Sequence, residues 1–156
     1  MPHISFPSPL GHLTVIEEDG AIVALDWGQK SGGAATALLV RARAQIYGYF
    51  SHKINAFDLP LQPKVSAFQA RVLRVMQEIP YGKTKSYGDL AGWVGSSARA
   101  VGGACGANPI PIIIPCHRVI AKTGDLGGYS GLGGTRTKKQ LLVLEGADLG
   151  ELPIDS

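Results

Sequence analysis

Apolar and polar residues alternate near the N-terminus. Leu13 and Val15 stand between more polar neighbours, and Val23, Leu25 and Trp27 repeat the pattern. A period of two predicts short, half-buried strands within residues 4–27, with Glu18-Asp19-Gly20 as the turn between two of them. The period then changes: Leu38, Leu39, Ala42, Ile46 and Phe50 recur at helical spacing, predicting a helix over about residues 34–50. Residues 51–64, with Pro60 and Pro63, carry no periodicity and read as a connector. A second helical stripe, Phe68, Val72, Val75, Met76 and Ile79, is stopped by Pro80-Tyr81-Gly82. Two short helices follow, over about residues 86–94 and 97–107, with Gly95 between them and Ser86 and Ser97 as N-caps. Short helices joined by a tight glycine turn suggest a helix-turn-helix, although a hairpin that binds nothing has the same pattern. The expected fold is an α/β N-terminal subdomain with its connector (residues 1–63), then a mainly helical C-terminal subdomain with a helix-turn-helix (residues 64–156).

Composition narrows the class. Apolar residues are 45% of the 156, enough for a sizeable core, and 21 glycines and 10 prolines imply many turns. No apolar run approaches the roughly 18 residues of a membrane span, and Met1-Pro2-His3-Ile4-Ser5 does not begin a signal peptide. The expectation is a soluble cytoplasmic protein with no membrane association. Charge is uneven: residues 1–64 are neutral, residues 65–144 hold ten Lys/Arg against three acids, and the last twelve residues carry four acids and no base. A basic middle suits a polyanion such as nucleic acid. On charge alone, a solvated face explains it as well.

The second of the two short helices is nearly devoid of bulk, running Arg99-Ala100-Val101-Gly102-Gly103-Ala104. Small residues let a helix approach a flat or grooved partner closely; close packing on another helix is the competing explanation. Asn108 precedes Pro109, which ends that helix. Residues 109–115 are then apolar, β-branched and stiffened by three prolines, a poor central strand but a rigid lead into Cys116-His117-Arg118. Two cysteines without CxxC or paired Cys/His spacing support neither a structural disulfide nor a zinc site. Cys105 reads as an inert buried thiol. Cys116, followed by His and Arg, has neighbours able to favour the nucleophilic thiolate. On an extended chain adjacent side chains diverge, so His117 would reach Cys116 only through a water or after a turn. As a base it needs an orienting acid, for which Glu145, after Leu141-Leu142-Val143-Leu144, is a candidate. A solvated helix-end glutamate fits the same position.

Ile114-Pro115-Cys116-His117-Arg118-Val119 resembles the active-site signature of the O6-alkylguanine-DNA alkyltransferases, or methylated-DNA–protein-cysteine methyltransferases. Further blocks agree in order: Ile79-Pro80-Tyr81-Gly82-Lys83-Thr84, Ser86-Tyr87-Gly88-Asp89-Leu90-Ala91, Ala98-Arg99-Ala100-Val101-Gly102, Asn108-Pro109, Gly128-Tyr129-Ser130 and Leu141-Leu142 to Glu145-Gly146. The resemblance is strong over about residues 65–146 and looser over residues 8–27. It implies irreversible, single-turnover transfer of an alkyl group from guanine O6 in DNA to Cys116. Cys116, His117, Glu145, Tyr87 and Asn108 would be catalytic. Glu145, His117 and a water would form the relay, Tyr87 would give a proton to guanine N3, and Asn108 would brace the segment. Arg99, Tyr87, Ser86 and Ala98 would contact duplex DNA through the minor groove, with the alkylated base flipped out. Tyr129, Ser130, Pro111 and Val119 would line the base pocket.

No cofactor or metal is implied, and a monomer is expected. His3, His12 and His52 lie where no cysteine joins them, so the zinc site of some relatives is not supported. Gly106 stands where some relatives have a basic residue, which points to weaker DNA affinity. The stretch Gly131-Leu132-Gly133-Gly134 looks longer than in some relatives and leaves the register between Tyr129 and Glu145 open. Two other readings compete. A lesion sensor of the alkyltransferase-like kind lacks the nucleophilic cysteine that this chain has, and a cysteine hydrolase needs an oxyanion hole that no sequence feature supplies.

Overall fold

The computed structural model describes residues 1–123 and 134–147. The chain divides into two compact units, Met1–Lys64 and Val65–Ser156.

In the first unit, β1 (His3–Phe6), β2 (Leu13–Glu18) and β3 (Ala21–Trp27) form an antiparallel sheet in that order. The β2–β3 turn places Asp19 and Gly20 at φ 51° and 80°, the positive pair that a two-residue hairpin loop requires. The alternation that predicts Val23 and Leu25 as inward-facing misses Ile22, which is fully buried. The register shift at Ile16/Glu17 pairs Glu17 with Ile22 and Ile16 with Ala24, leaving Val23 as the extra residue of a bulge. The bulge lets Ile22 and Val23 both turn inward. Helix α1 (Ala37–Phe50) starts three residues later than its periodicity suggests, because Thr36 caps it by accepting from the Leu39 amide. It buries Leu39, Ala42, Ile46 and Tyr49 against the sheet; Tyr49, not Phe50, completes the stripe. The connector is anchored rather than loose: the Ile22 amide donates to Pro60 O and Gln62 N donates to Ile22 O.

The second unit opens with α2 (Ala67–Met76), held by a Ser66/Gln69 capping box. Its inward stripe is Val72, Leu73 and Met76; the helix ends before Ile79, which is buried from the turn that follows. Helices α3 (Tyr87–Val94) and α4 (Ala98–Gly106) are capped by Ser86 and Ser97 as expected. Gly95 joins them at φ 69°, a left-handed position suited to glycine. These three helices pack on one another. Two short strands, β4 (Lys85–Ser86) and β5 (Val119–Ile120), pair in parallel and tie the start of α3 to the end of the cysteine segment. Helix α5 (Thr135–Leu144) packs on that segment with Thr137, Lys138, Leu141 and Leu142 inward. Among the described residues no helix is long and apolar enough to cross a membrane, and no cluster of His, Cys, Asp and Glu could hold a metal.

Candidate active site

The proline-rich lead is a chain of tight turns rather than a strand. Its residues 110–119 are all buried. Ile113 N donates to Pro111 O at 2.8 Å across Ile112, whose φ is +72°. This is a γ-turn of the rare positive-φ kind, costly for a β-branched residue. Cys116 N donates to Ile114 O at 2.8 Å across Pro115 (φ −82°, ψ 65°), an inverse γ-turn. Asn108 clasps both: its side chain donates to Ile114 O at 2.9 Å and accepts from Ile110 N at 3.0 Å. A segment whose backbone cannot form a ladder is thereby fixed by its own turns and one amide side chain.

Cys116, His117 and Arg118 then form a single turn of 3₁₀ helix. The divergence expected on an extended chain therefore does not apply. Cys116 is 4% exposed and His117 fully buried. His117 Nε2 donates to Glu145 Oε2 at 2.7 Å, whereas Nδ1 has no hydrogen-bond partner among the described residues. Glu145 is buried at the C-terminal cap of α5, not solvated. Arg118 grips the same carboxylate with both arms, Nε to Oε1 at 2.9 Å and NH2 to Oε2 at 3.0 Å, and its NH1 donates to Ile79 O at 2.7 Å. The guanidinium that the sequence offers as a neighbour of the thiol thus serves the acid. The Gly82 amide also donates to Glu145 Oε1, at 3.1 Å. Gly82 has φ +79°, and a Cβ there would stand 3.1 Å from Glu145 O, so the turn that stops the helical stripe also walls the site.

Burial pushes the pKa of His117 below its ordinary value; the hydrogen bond and charge of Glu145 oppose this, and Arg118 and Lys138 reinforce it. Imidazole is therefore the resting form at neutral pH. Tyr87, half-buried at the start of α3, has its phenol pushed up to about 12, first by burial and then by the nearby Cys105 and Cys116. It stays a proton donor. Lys138 Nζ donates to Tyr87 Oη at 3.3 Å and lies 5.5 Å from the ring centroid. Lys138 is fully buried, and burial pulls its ammonium down to about 8 against the favourable influence of both cysteines.

Sequence reasoning missed Lys138, although a signal exists. Positions 138, 141, 142 and 145 follow the i, i+3, i+4, i+7 rule, so the stripe that buries Leu141 and Leu142 also turns Lys138 and Glu145 inward. Cys105 is buried beside Met76 Sδ at 3.8 Å, and burial pushes its thiol up to about 12, consistent with an inert group.

The remaining candidates are dispersed. Arg99 and Ala98 are exposed at the start of α4, and Ser86 caps α3. Pro111 and Val119 are buried. Tyr129 and Ser130 lie outside the described residues. The small-residue helix resolves one alternative: a Cβ at Gly102, Gly103 or Gly106 would meet nothing within 4 Å. Packing among the described residues does not require these glycines.

Comparison with known proteins covers both units. Residues 67–147 match the DNA binding domain of 6-O-methylguanine DNA methyltransferase, and residues 1–63 match its ribonuclease-like domain. The chain is 42% identical over 147 residues to a methylated-DNA–protein-cysteine methyltransferase of Mycolicibacterium paratuberculosis, covering 88% of each. To the constitutive enzyme of that name from Bacillus subtilis it is 40% identical over 151 residues, covering 88% of this chain and 91% of the other. A solved Mycobacterium tuberculosis OGT in complex with DNA superposes with a TM-score of 0.85 at 38% identity, over 94% of this chain and 93% of that one.

Proposed function

The chain belongs to the 6-O-methylguanine DNA methyltransferase family, and from that membership we propose how its own residues carry out the family's reaction. The protein repairs DNA by transferring an alkyl group from guanine O6 to one of its own cysteines, irreversibly and once per molecule. Cys116 is the acceptor. The observation that carries the assignment is the buried His117–Glu145 pair directly after Cys116 on the same 3₁₀ turn, with Nε2 committed to the acid and Nδ1 without a partner among the described residues.

In this reading the Cys116 thiol proton passes through a water to His117 Nδ1. Glu145 stabilises the imidazolium that forms. The thiolate attacks the alkyl carbon, the S–C bond forms as the C–O6 bond breaks, and the electron pair leaves with guanine. Tyr87 delivers a proton to guanine N3. Its own O–H is available for this because its oxygen already accepts from Lys138, whose charge also stabilises the phenolate left behind. Asn108 keeps the turns before Cys116 from relaxing. The product is a thioether, a bond that ordinary side chains do not hydrolyse, so each molecule acts once.

The damaged base has to leave the duplex, since its O6 substituent is out of reach in the stack. Helix α4 supports entry from the minor groove: Arg99 is exposed at its start, and its outward glycines allow close approach of the backbone. Arg99 fills the space of the extruded nucleotide, with Tyr87, Ser86 and Ala98 at the backbone. Tyr129, Ser130, Pro111 and Val119 frame the base. The protein acts as a monomer in the cytoplasm and needs neither metal nor cofactor.

Intact-protein mass after incubation with a duplex carrying one O6-methylguanine tests this reading. The native protein gains one methyl group and no more, and Cys116→Ser gains none. Lesion binding without any gain of mass would replace repair with lesion sensing.

A further inference from the structure

Arg118 directs no described hydrogen bond to the thiol; all three of its described bonds go to Glu145 and to Ile79 O. Its guanidinium is 8% exposed on the side chain, and the carboxylate it grips is fully buried. A two-point fork fixes both the plane and the position of a carboxylate, which one point charge cannot do. We propose that Arg118 is a positioning residue of the proton relay. By clamping Glu145 as an anion, it obliges His117 to present Nε2–H to the acid and reserves Nδ1 as the base for Cys116. This rests on the relay proposed above.

The tautomer follows from hydrogen-bond capacity. An ionised carboxylate accepts only, so the ring nitrogen 2.7 Å from Oε2 carries a proton, and a neutral ring then has its lone pair on Nδ1. Were Glu145 free to rotate or to hold a proton, it could donate to Nε2 and reverse the ring. The Arg118 fork and the Gly82 amide close off that alternative by occupying both oxygens.

Arg118 also balances charge around the ring. The charged groups facing His117 are Glu145 and Lys138 from α5, and Arg118 beside it; Tyr81 packs against Arg118 with its ring centroid 5.8 Å from the guanidinium carbon. Glu145 favours the imidazolium and Arg118 disfavours it. Without the guanidinium, Lys138 is the one charge left to oppose Glu145 among the groups facing His117, and the ring holds its proton to higher pH. A relay whose base is already protonated cannot take the thiol proton.

The test is the single-turnover rate of methyl transfer against pH for the native protein, Arg118→Lys and Arg118→Met, on a duplex carrying O6-methylguanine. In Arg118→Met the acid limb moves up by about one pH unit, the low end of what a neighbouring charge does, and the rate recovers in mild alkali. Arg118→Lys keeps the native midpoint, because the charge remains, with a lower plateau because the fork is lost. A uniformly slower Arg118→Met with an unmoved midpoint would overturn the proposal and leave Arg118 a structural role.

Should Arg118→Met fail to fold, ¹⁵N NMR of the native protein decides the matter. His117 is expected neutral at pH 7 with its proton on Nε2, and an Nδ1–H tautomer or an imidazolium would overturn the proposal. Failure of the repair reading is separate: it shows as no mass gain on Cys116 at any pH, and the NMR result still stands for or against Arg118.

Discussion

Lys138 is a cation with no exposed surface, and its folded pKa of about 8 sets a pH signature. The unfolded chain titrates near 10.5. Below about pH 8 the lysine is protonated in both states, and the folded protein bears the full burial penalty. Between about 8 and 10.5 the unfolded chain binds the extra proton, so stability rises with pH across that window. Replacing Lys138 with Met removes the penalty. Urea denaturation at pH 7 should show the variant more stable by up to about 3 kcal/mol, the two-and-a-half-unit depression converted at the usual rate. The advantage should shrink towards pH 10. In the proposed mechanism methyl transfer should slow as well, because Tyr87 loses the donor that leaves its own proton for guanine. Equal urea midpoints at pH 7, or a gap that does not narrow, would mean that the ammonium is fully compensated by its neighbours.

At the scale of elements, α4 combines two faces of different purpose. Val101, Ala104 and Cys105 pack inward, while Gly103 and Gly106 face outward with open space beyond them. Glycine inside a helix costs about 0.5–1 kcal/mol relative to alanine. No described neighbour returns that cost; in the proposed DNA-bound state, close approach of the duplex to the helix backbone would. Gly103→Ala should therefore raise the stability of the free protein by that amount and weaken duplex binding several-fold; denaturation and fluorescence anisotropy read the two effects. Tighter DNA binding would remove the argument from close approach. Of this pair of helices the sequence shows the boundaries well, because Ser86, Ser97 and Gly95 act through contacts with their immediate neighbours. It does not show which face of the glycine run is covered, since that depends on where α2 and α3 lie.

At the scale of the whole molecule, the proposed function and stability meet at Cys116. The thiol is 4% exposed in a segment fixed by two γ-turns and the Asn108 clasp, leaving little room for an added methyl group. Overpacking of this kind costs about 1–3 kcal/mol. Thermal melting of the fully methylated protein should fall by about 2 °C or more below that of the free form; coincident melting curves would show that the pocket holds the methyl group without strain. Whatever rests on neighbours along the chain is legible before folding is considered. The helix caps, the hairpin turn, the stop at Asn108-Pro109 and the block around Cys116 are all written in runs of a few residues, where sterics and local hydrogen bonds act without the rest of the fold. Tertiary structure alone decided which charges meet. Arg118 precedes Glu145 by 27 residues and Tyr87 precedes Lys138 by 51, and no periodicity records that pairing. Nor does sequence show that a bulge turns Ile22 inward or that Cys116 and His117 share a 3₁₀ turn. A charge finds its partner only when packing removes water and brings distant elements within a few ångströms, and that is a property of the closed interior.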